Sequence, residues 1–355
     1  MERLLGLGWD EGWQARFVEA ATAGCVPARV SEESQGLYRV LAESGGYLAQ
    51  LAGRVRHGAS GRSDLPAVGD WAAVVPRPGE GRATLVHLLP RRTSLARKVA
   101  GRELDAQILA ANLDTVFVVT SLNRELNLRR IERYLALAWE SGAQPVVLLT
   151  KSDLCPDPAA IRAEVESRAP GAPVHALSAV SGLGLEALRE HLLPGRSAAF
   201  IGSSGVGKTT LLNALLGAEL LAVGEIRLAD DRGRHTTTAR QMLALPGGGV
   251  VVDTPGMREI QLWESESGLA LAFDDLAALA ELCRFRDCRH RGEPGCAVAA
   301  AVAAGALPRQ RLENYRKMEA ELRFLAARDD PRARREDKQR AKAGCKSQKK
   351  HYRQR

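Results

Sequence analysis

The residues with the most specific spacing are Gly202, Ser203, Ser204, Gly205, Val206, Gly207, Lys208, Thr209 and Thr210, which begin as G-x-x-x-x-G-K-T. The apolar run 198–201 precedes them and the apolar-periodic segment 211–216 follows. Glycines let successive backbone N–H groups curve around an anion, and a helix N-terminus adds a favourable dipole, so the pattern predicts a phosphate-binding loop on a strand–turn–helix unit. Lys208 would reach the β- and γ-phosphates of a nucleotide, and Thr209 would hold Mg²⁺. A chance glycine-rich turn is the competing reading, and eight positions in register with both flanks argue against it.

Four more short motifs lie on either side. Upstream, Thr150, Lys151, Ser152 and Asp153 close the apolar run 145–150, and Ser178 and Ala179 follow the run 174–177. Downstream, the polar stretch 230–238 carries His235, Thr236 and Thr237, and the run 249–253 ends in Asp253-x-x-Gly256. With the phosphate loop these resemble the five elements of Ras-like guanine-nucleotide proteins. Their usual order starts at the phosphate loop; here the guanine-side motifs come first, as in such a domain started at its fourth strand. This predicts a circular permutation, which a sheet tolerates because its old termini lie close together.

A carboxylate at Asp153 can accept from the guanine ring N–H and exocyclic amine, a donor pair that adenine lacks, while the Lys151 stem packs along the base. Thr150 stands where Asn is usual, and losing the amide would loosen the tie to the phosphate loop. Thr236 or Thr237 would complete the Mg²⁺ shell, and the Gly256 N–H would meet the γ-phosphate, so both loops would report nucleotide state. After Gly256 stands Met257, which cannot hydrogen-bond a water as the usual Gln does, so slow intrinsic hydrolysis is expected. His235 could position that water, or could be a solvated loop histidine.

These loops need elements to hold them. Five β-segments near 28–30, 37–41, 47–51, 71–75 and 83–88 suggest a small OB-type β-barrel, or a β-module without a ligand; few aromatics are present to stack bases. The basic stretch 91–98 could touch phosphate or be an ordinary solvated linker, and taken alone it favours the linker. From residue 114, alternating strands and helices read as a mostly parallel α/β sheet. The helix 128–141 stops before Gly142, and further helices are expected at 159–168 and 185–192.

Beyond the sheet, Cys283, Cys288, His290 and Cys296 fall within fourteen residues. Cys₃His is a closed tetrahedral set for one structural Zn²⁺, and the intervening arginines suit no apolar core. The formal net charge of +8 is carried by residues 331–355, with 11 Lys/Arg against 2 acids. That tail suits either phosphate contact or a disordered solvated end. No basic-plus-apolar leader and no apolar run of spanning length are found, which predicts a cytoplasmic protein with no membrane contact.

The permuted order, the switch segment 233–238, the Cys₃His set after the nucleotide domain and the barrel before it together resemble the ribosome small-subunit-dependent GTPase A family of bacteria, over about residues 27–327. The resemblance implies a multidomain chain: an extension 1–25, an OB-type barrel 26–92, a circularly permuted P-loop GTPase domain 93–262, a mainly helical zinc-binding domain 263–330 and a basic tail 331–355. It implies a GTPase that binds GTP/GDP with Mg²⁺, contacts the small ribosomal subunit and its rRNA as a monomer late in subunit maturation, and hydrolyses GTP at a rate stimulated by that subunit. Family members carry a hydrophobic residue at the Met257 position, and the histidine matching His235 assists hydrolysis. Lys208, Thr209 and His235 are the expected catalytic set. Two rivals remain at this point, a GTP-dependent RNA-binding module with negligible hydrolysis and an ATP-using P-loop kinase.

Overall fold

Alternation builds the first layer. In β2 (Leu37–Ala42), Tyr38, Val40 and Ala42 point inward while Leu37 and Arg39 face water. They meet inward residues of β1 (Val26–Ser34), β3 (Gly45–Leu51), β4 (Trp71–Arg77) and β5 (Arg82–Leu88) in a core of mostly alanine and valine. The strands run β1-β2-β3-β5-β4, with β4 returning to β1 and β3 parallel to β5. Small side chains fit the narrow interior of this closed OB-type barrel, whose five strands are those read from the sequence. The computed structural model describes residues 1–34, 36–77, 79–98, 106–123, 126–217, 240–253 and 266–329. They fall into two units, Met1–Trp263 and Glu264–Arg355.

The other face of β4 is buried too. Two helices, α1 (Glu2–Gly6) and α2 (Glu11–Ala20), bring Leu4, Leu7, Trp9, Trp13 and Phe17 onto Trp71 and Ala73. Trp9 and Trp71 meet edge to face at 4.7 Å, a favoured arrangement for aromatic quadrupoles. Asp10 caps α2 by accepting from Trp13 N at 2.8 Å. A short helix, α3 (Gly53–Gly58), follows β3.

The stretch 91–98 departs from the linker expectation. Arg91 grips the fully buried Asp70 with two 2.8 Å bonds, and Arg92 forks onto Asp10 while lying 4.3 Å over the Trp13 ring. Residues Ser94–Lys98 form β6, which pairs antiparallel with β7 (Ala106–Ala111). Basic composition alone cannot separate a solvated run from one whose partners lie 21 and 82 residues away.

The second half of this unit alternates as expected: β8 (Thr115–Ser121), α4 (Leu128–Glu140), β9 (Gln144–Thr150), α5 (Pro158–Glu166), β10 (Val174–Ala176), α6 (Leu185–Arg189), β11 (Ser197–Ile201), α7 (Lys208–Leu216), β12 (Arg240–Ala244) and β13 (Val250–Asp253). Strand order is β10-β9-β8-β11-β13-β12, parallel except for β12. All seven residues of β8 are buried, the mark of a strand covered on both faces. After α4 the chain reverses at Gly142, whose φ of +81° is the left-handed conformation a helix C′ position favours. Helix α6 stops at Arg189, three residues short of expectation, and the apolar positions through Leu192 continue as turn.

Strand β1 belongs to both layers, pairing with β12 at Glu32↔Gln241 and Glu33↔Arg240 beside an Arg240–Glu33 ion pair of 3.1 Å. Barrel and nucleotide domain therefore share one eleven-stranded sheet. Arg29, also on β1, is buried and donates to Gly69 O, Asn112 O, Ser197 Oγ and Leu7 O. Burial lowers its pKa to about 10, so it stays charged at neutral pH while tying four segments together.

The second unit is helical: α8 (Glu266–Ala272), α9 (Asp274–Glu281), α10 (Ala297–Ala303) and α11 (Arg309–Asp329). Its buried Arg311 forks onto Asp275 at 2.6 and 2.8 Å and lies 4.6 Å over the Phe273 ring. That fork aligns α11 with the start of α9, because a planar guanidinium satisfies both carboxylate oxygens only in one orientation.

Candidate nucleotide site and metal centre

Four parallel strands, β8, β9, β10 and β11, end on one edge of the sheet, and the guanine-side and phosphate-side motifs leave from those ends. Ligands of open α/β sheets sit on this edge, where successive strands diverge. Gly202 leaves β11 with a φ of +150°, and a Cβ there would lie 2.2 Å from Val119 O of the neighbouring strand. Only glycine fits this approach. Gly205 and Gly207 also take positive φ, and Lys208 begins α7. Lys208 Nζ curls back to Gly202 O and Ser203 O, at 2.6 Å each; Ser204 lies in the loop, and Thr209 and Thr210 continue the first turn of α7.

The guanine-side loop reaches the phosphate loop directly. The Thr150 hydroxyl lies 2.6 Å from Val206 O and 3.2 Å from Thr120 O, and its single proton serves the nearer carbonyl. The tie expected to loosen without an amide is therefore made by a hydroxyl. Lys151 adopts φ +58°, a conformation that strains a residue with a Cβ, and its Nζ donates to Gly205 O at 2.9 Å. Asp153 is exposed, whereas Ser152 Oγ is buried with no partner among the described residues. An orphaned hydroxyl beside the loop is a cost that a hydrogen-bonding ligand or water would relieve. Ser178 is buried, its Oγ accepts from Ser181 N at 3.2 Å, and Ala179 follows half-buried at the same edge. Asp253 ends β13 opposite Gln241. His235, Thr236, Thr237, Gly256 and Met257 lie outside the described residues.

Sequence reasoning missed one member. Arg130, in the first turn of α4, donates from Nη1 to Ser203 Oγ at 2.7 Å. A signal existed: that turn holds two arginines and no acid, against the usual preference at a helix N-terminus.

In the second unit, the ligand atoms of Cys283, Cys288, His290 and Cys296 lie within 4.8 Å of one another. The measured edges, Cys283 Sγ to Cys296 Sγ at 4.0 Å and His290 Nδ1 to the two sulfurs at 3.6 and 3.5 Å, match a tetrahedron built on Zn–S near ~2.3 Å and Zn–N near ~2.0 Å. Local geometry gathers them: His290 takes φ +57°, and Cys296 caps α10 by accepting from Ala299 N at 3.3 Å. Burial, above all, holds His290 below its usual pKa, favouring the neutral imidazole that ligates. Burial and the neighbouring sulfurs push Cys288 up to about 11, since crowded thiols cannot all ionise without a cation. The donor set thus fits Zn²⁺ and leaves no open position for chemistry.

A phosphate loop on a parallel strand, guanine-side loops on the same edge and a six-stranded sheet entered at its fourth strand define a circularly permuted P-loop GTPase. The family model described as "RsgA GTPase" matches residues 88–263. A relative from Opitutus terrae, named small ribosomal subunit biogenesis GTPase RsgA, is 48% identical over 337 residues, 92% of each chain. One of the same name from Streptomyces coelicolor is 46% identical, covering 94% of this chain and 90% of its own. Among solved structures, YjeQ from Thermotoga maritima superposes with a TM-score of 0.64 at 30% identity, over 84% of this chain and 98% of that one. YloQ, described as a circularly permuted GTPase, shares the fold with a TM-score of 0.63 at 24% identity. This chain belongs to the RsgA GTPase family and is a GTP hydrolase. GTP or GDP and Mg²⁺ are the ligands that membership implies, and the ATP-kinase reading falls away.

Proposed function

We propose that this protein is a cytoplasmic, monomeric GTPase that binds the small ribosomal subunit through its rRNA late in subunit maturation and hydrolyses GTP to GDP and phosphate faster on that subunit. The carrying observation is relatedness above 45% along nine-tenths or more of both chains to proteins named for small-subunit biogenesis. Barrel, permuted sheet and Cys₃His knot all lie within that span.

In this reading Asp153 accepts the two guanine donors and Lys151 lies along the base. Loop 202–207 wraps the phosphates with backbone N–H groups, and Lys208 exchanges its carbonyl partners for phosphate oxygens. Thr209 and either Thr236 or Thr237 would hold Mg²⁺, which would neutralise charge on the nucleotide phosphates. Water attacks the γ-phosphorus, the bond to the bridging oxygen breaks, and GDP leaves. Asp253 and the Gly256 N–H report the loss of the γ-phosphate. Met257 offers no hydrogen bond to the attacking water, so that task falls to His235 and to groups of the subunit. Cys283, Cys288, His290 and Cys296 would hold Zn²⁺, which would tie the helical unit together.

Single-turnover GTP hydrolysis with and without purified small subunits tests the reading. A rise of about 10-fold or more on adding subunits is expected, smaller than the stimulation of a dedicated activating protein. A flat response instead supports a GTP-dependent RNA-binding module, and competition by excess ATP would refute guanine selection at Asp153.

A further inference from the structure

Ser203 is gripped from two sides. Lys208 Nζ lies 2.6 Å from its carbonyl oxygen, and Arg130 Nη1 donates to its hydroxyl at 2.7 Å from 73 residues upstream. Arg130 is locked in place by the helix it starts: Asn127 caps α4, and its Oδ1 accepts from Arg130 N at 3.2 Å. The position breaks a local rule. A helix N-terminus carries partial positive charge and favours acids, yet this first turn holds Arg129 and Arg130 and no acid. Local rules are broken where another requirement outweighs them, and holding the Ser203 hydroxyl of the phosphate loop is such a requirement.

The contact also differs in kind from the other clamps. Thr150, Lys151 and Lys208 all take backbone carbonyls of the loop, at Val206, Gly205, and Gly202 with Ser203 respectively. Arg130 takes a loop side chain, and so acts on the residue whose backbone lies between Gly202 and Ser204 without using up a carbonyl. We propose that Arg130 is a positioning residue for GTP hydrolysis. Through the Ser203 hydroxyl it holds the first half of the phosphate loop in the shape that receives the nucleotide, and it brings a second cation to the phosphate end beside Lys208. This rests on the GTPase reading above. Lysine would retain charge but not the planar, directed donor.

The test uses full-length R130A, R130K, S203A and R130A/S203A, with kcat and KM for GTP separated in the absence of subunits, nucleotide affinity followed against salt, and thermal unfolding in parallel. R130A and S203A should each lower kcat/KM by about 10-fold or more, the size of a lost charge-assisted hydrogen bond. The double variant should be no worse than R130A, because the two residues act as a unit. R130K should keep the salt dependence of nucleotide affinity while losing most of kcat/KM. An R130A protein within twofold of the parent in kcat/KM overturns the proposal, as does a double variant in which the two losses multiply. If R130A fails to fold, R130K and S203A decide the same question, since each breaks the bond with little change in packing. A parent chain that hydrolyses no GTP would refute the function itself, whereas an active parent with an indifferent R130A refutes only the role of Arg130.

Discussion

The phosphate loop and the cysteine–histidine knot are both small, tight structures, but they are held together in opposite ways. All four ligands of the knot come from fourteen consecutive residues, shaped by one left-handed histidine and one helix cap. The phosphate loop draws its own backbone from eight residues, yet the side chains that fix it come from Arg130, Thr150 and Lys151, 54 to 73 residues away. A site built locally needs a metal to close it; a site built from distant strands needs the sheet. The knot should therefore fail alone, and the loop should fail with its supports.

Removing zinc is the hardest test of that contrast. Chelation or Cys288→Ser should forfeit metal binding worth about 10 kcal/mol or more and unfold the helices between 266 and 329, as read by amide exchange. GDP binding to the loop should stay within about twofold. A collapse of nucleotide binding would show that the two sites are one cooperative structure. Next in size, Lys208→Ala should lower kcat by about 10²–10³-fold, as loss of a fixed transition-state cation does, and leave zinc content unchanged. Thr150→Val keeps shape and removes the hydroxyl that meets Val206 O; GTP affinity should fall by roughly 5- to 10-fold, the net value of one buried hydrogen bond. Unchanged affinity would mean that the guanine-side loop does not support the phosphate loop.

The smallest effect concerns pH. His191 lies 5.7 Å from His175 and 6.0 Å from Phe117, and burial is the main cause lowering both histidine pKa values. The unfolded chain then binds protons more readily than the fold, so stability is complete above about pH 6.5 and declines as pH falls toward the lowered values. A Tm about 2 °C lower at pH 5.5 is expected for the Met1–Trp263 unit, discounted for partial exposure. His191→Phe should flatten that dependence, and the zinc unit, titrated with metal bound, should follow a separate curve.

Much of this was legible beforehand because short motifs carry their own chemistry. Residues 202–209 announce a phosphate loop wherever they fold, and three cysteines and a histidine in fourteen residues mark a set that could hold a metal. The barrel strands were visible through alternation, as in Tyr38, Val40 and Ala42. The helices of the first twenty residues were not, because they exist to cover Trp71, and their apolar positions make sense only against that surface. Arg91 and Arg92 read as solvated for the same reason: charge identifies a residue, but Asp70 and Asp10 identify its surroundings.

The sequence by itself determined the order of the nucleotide motifs, hence the permutation, together with a Cys₃His set that could hold a metal, since each depends on residue type at short fixed spacing. Only the tertiary structure decided that β1 closes the barrel and also extends the nucleotide sheet through β12, that Arg29 ties Ser197 at the foot of the phosphate-loop strand to the barrel, and that Arg130 meets Ser203. Those partners are separated by 42 to about 210 residues, and local periodicity holds no information on which distant edges and side chains will meet; that is settled by packing all the elements at once.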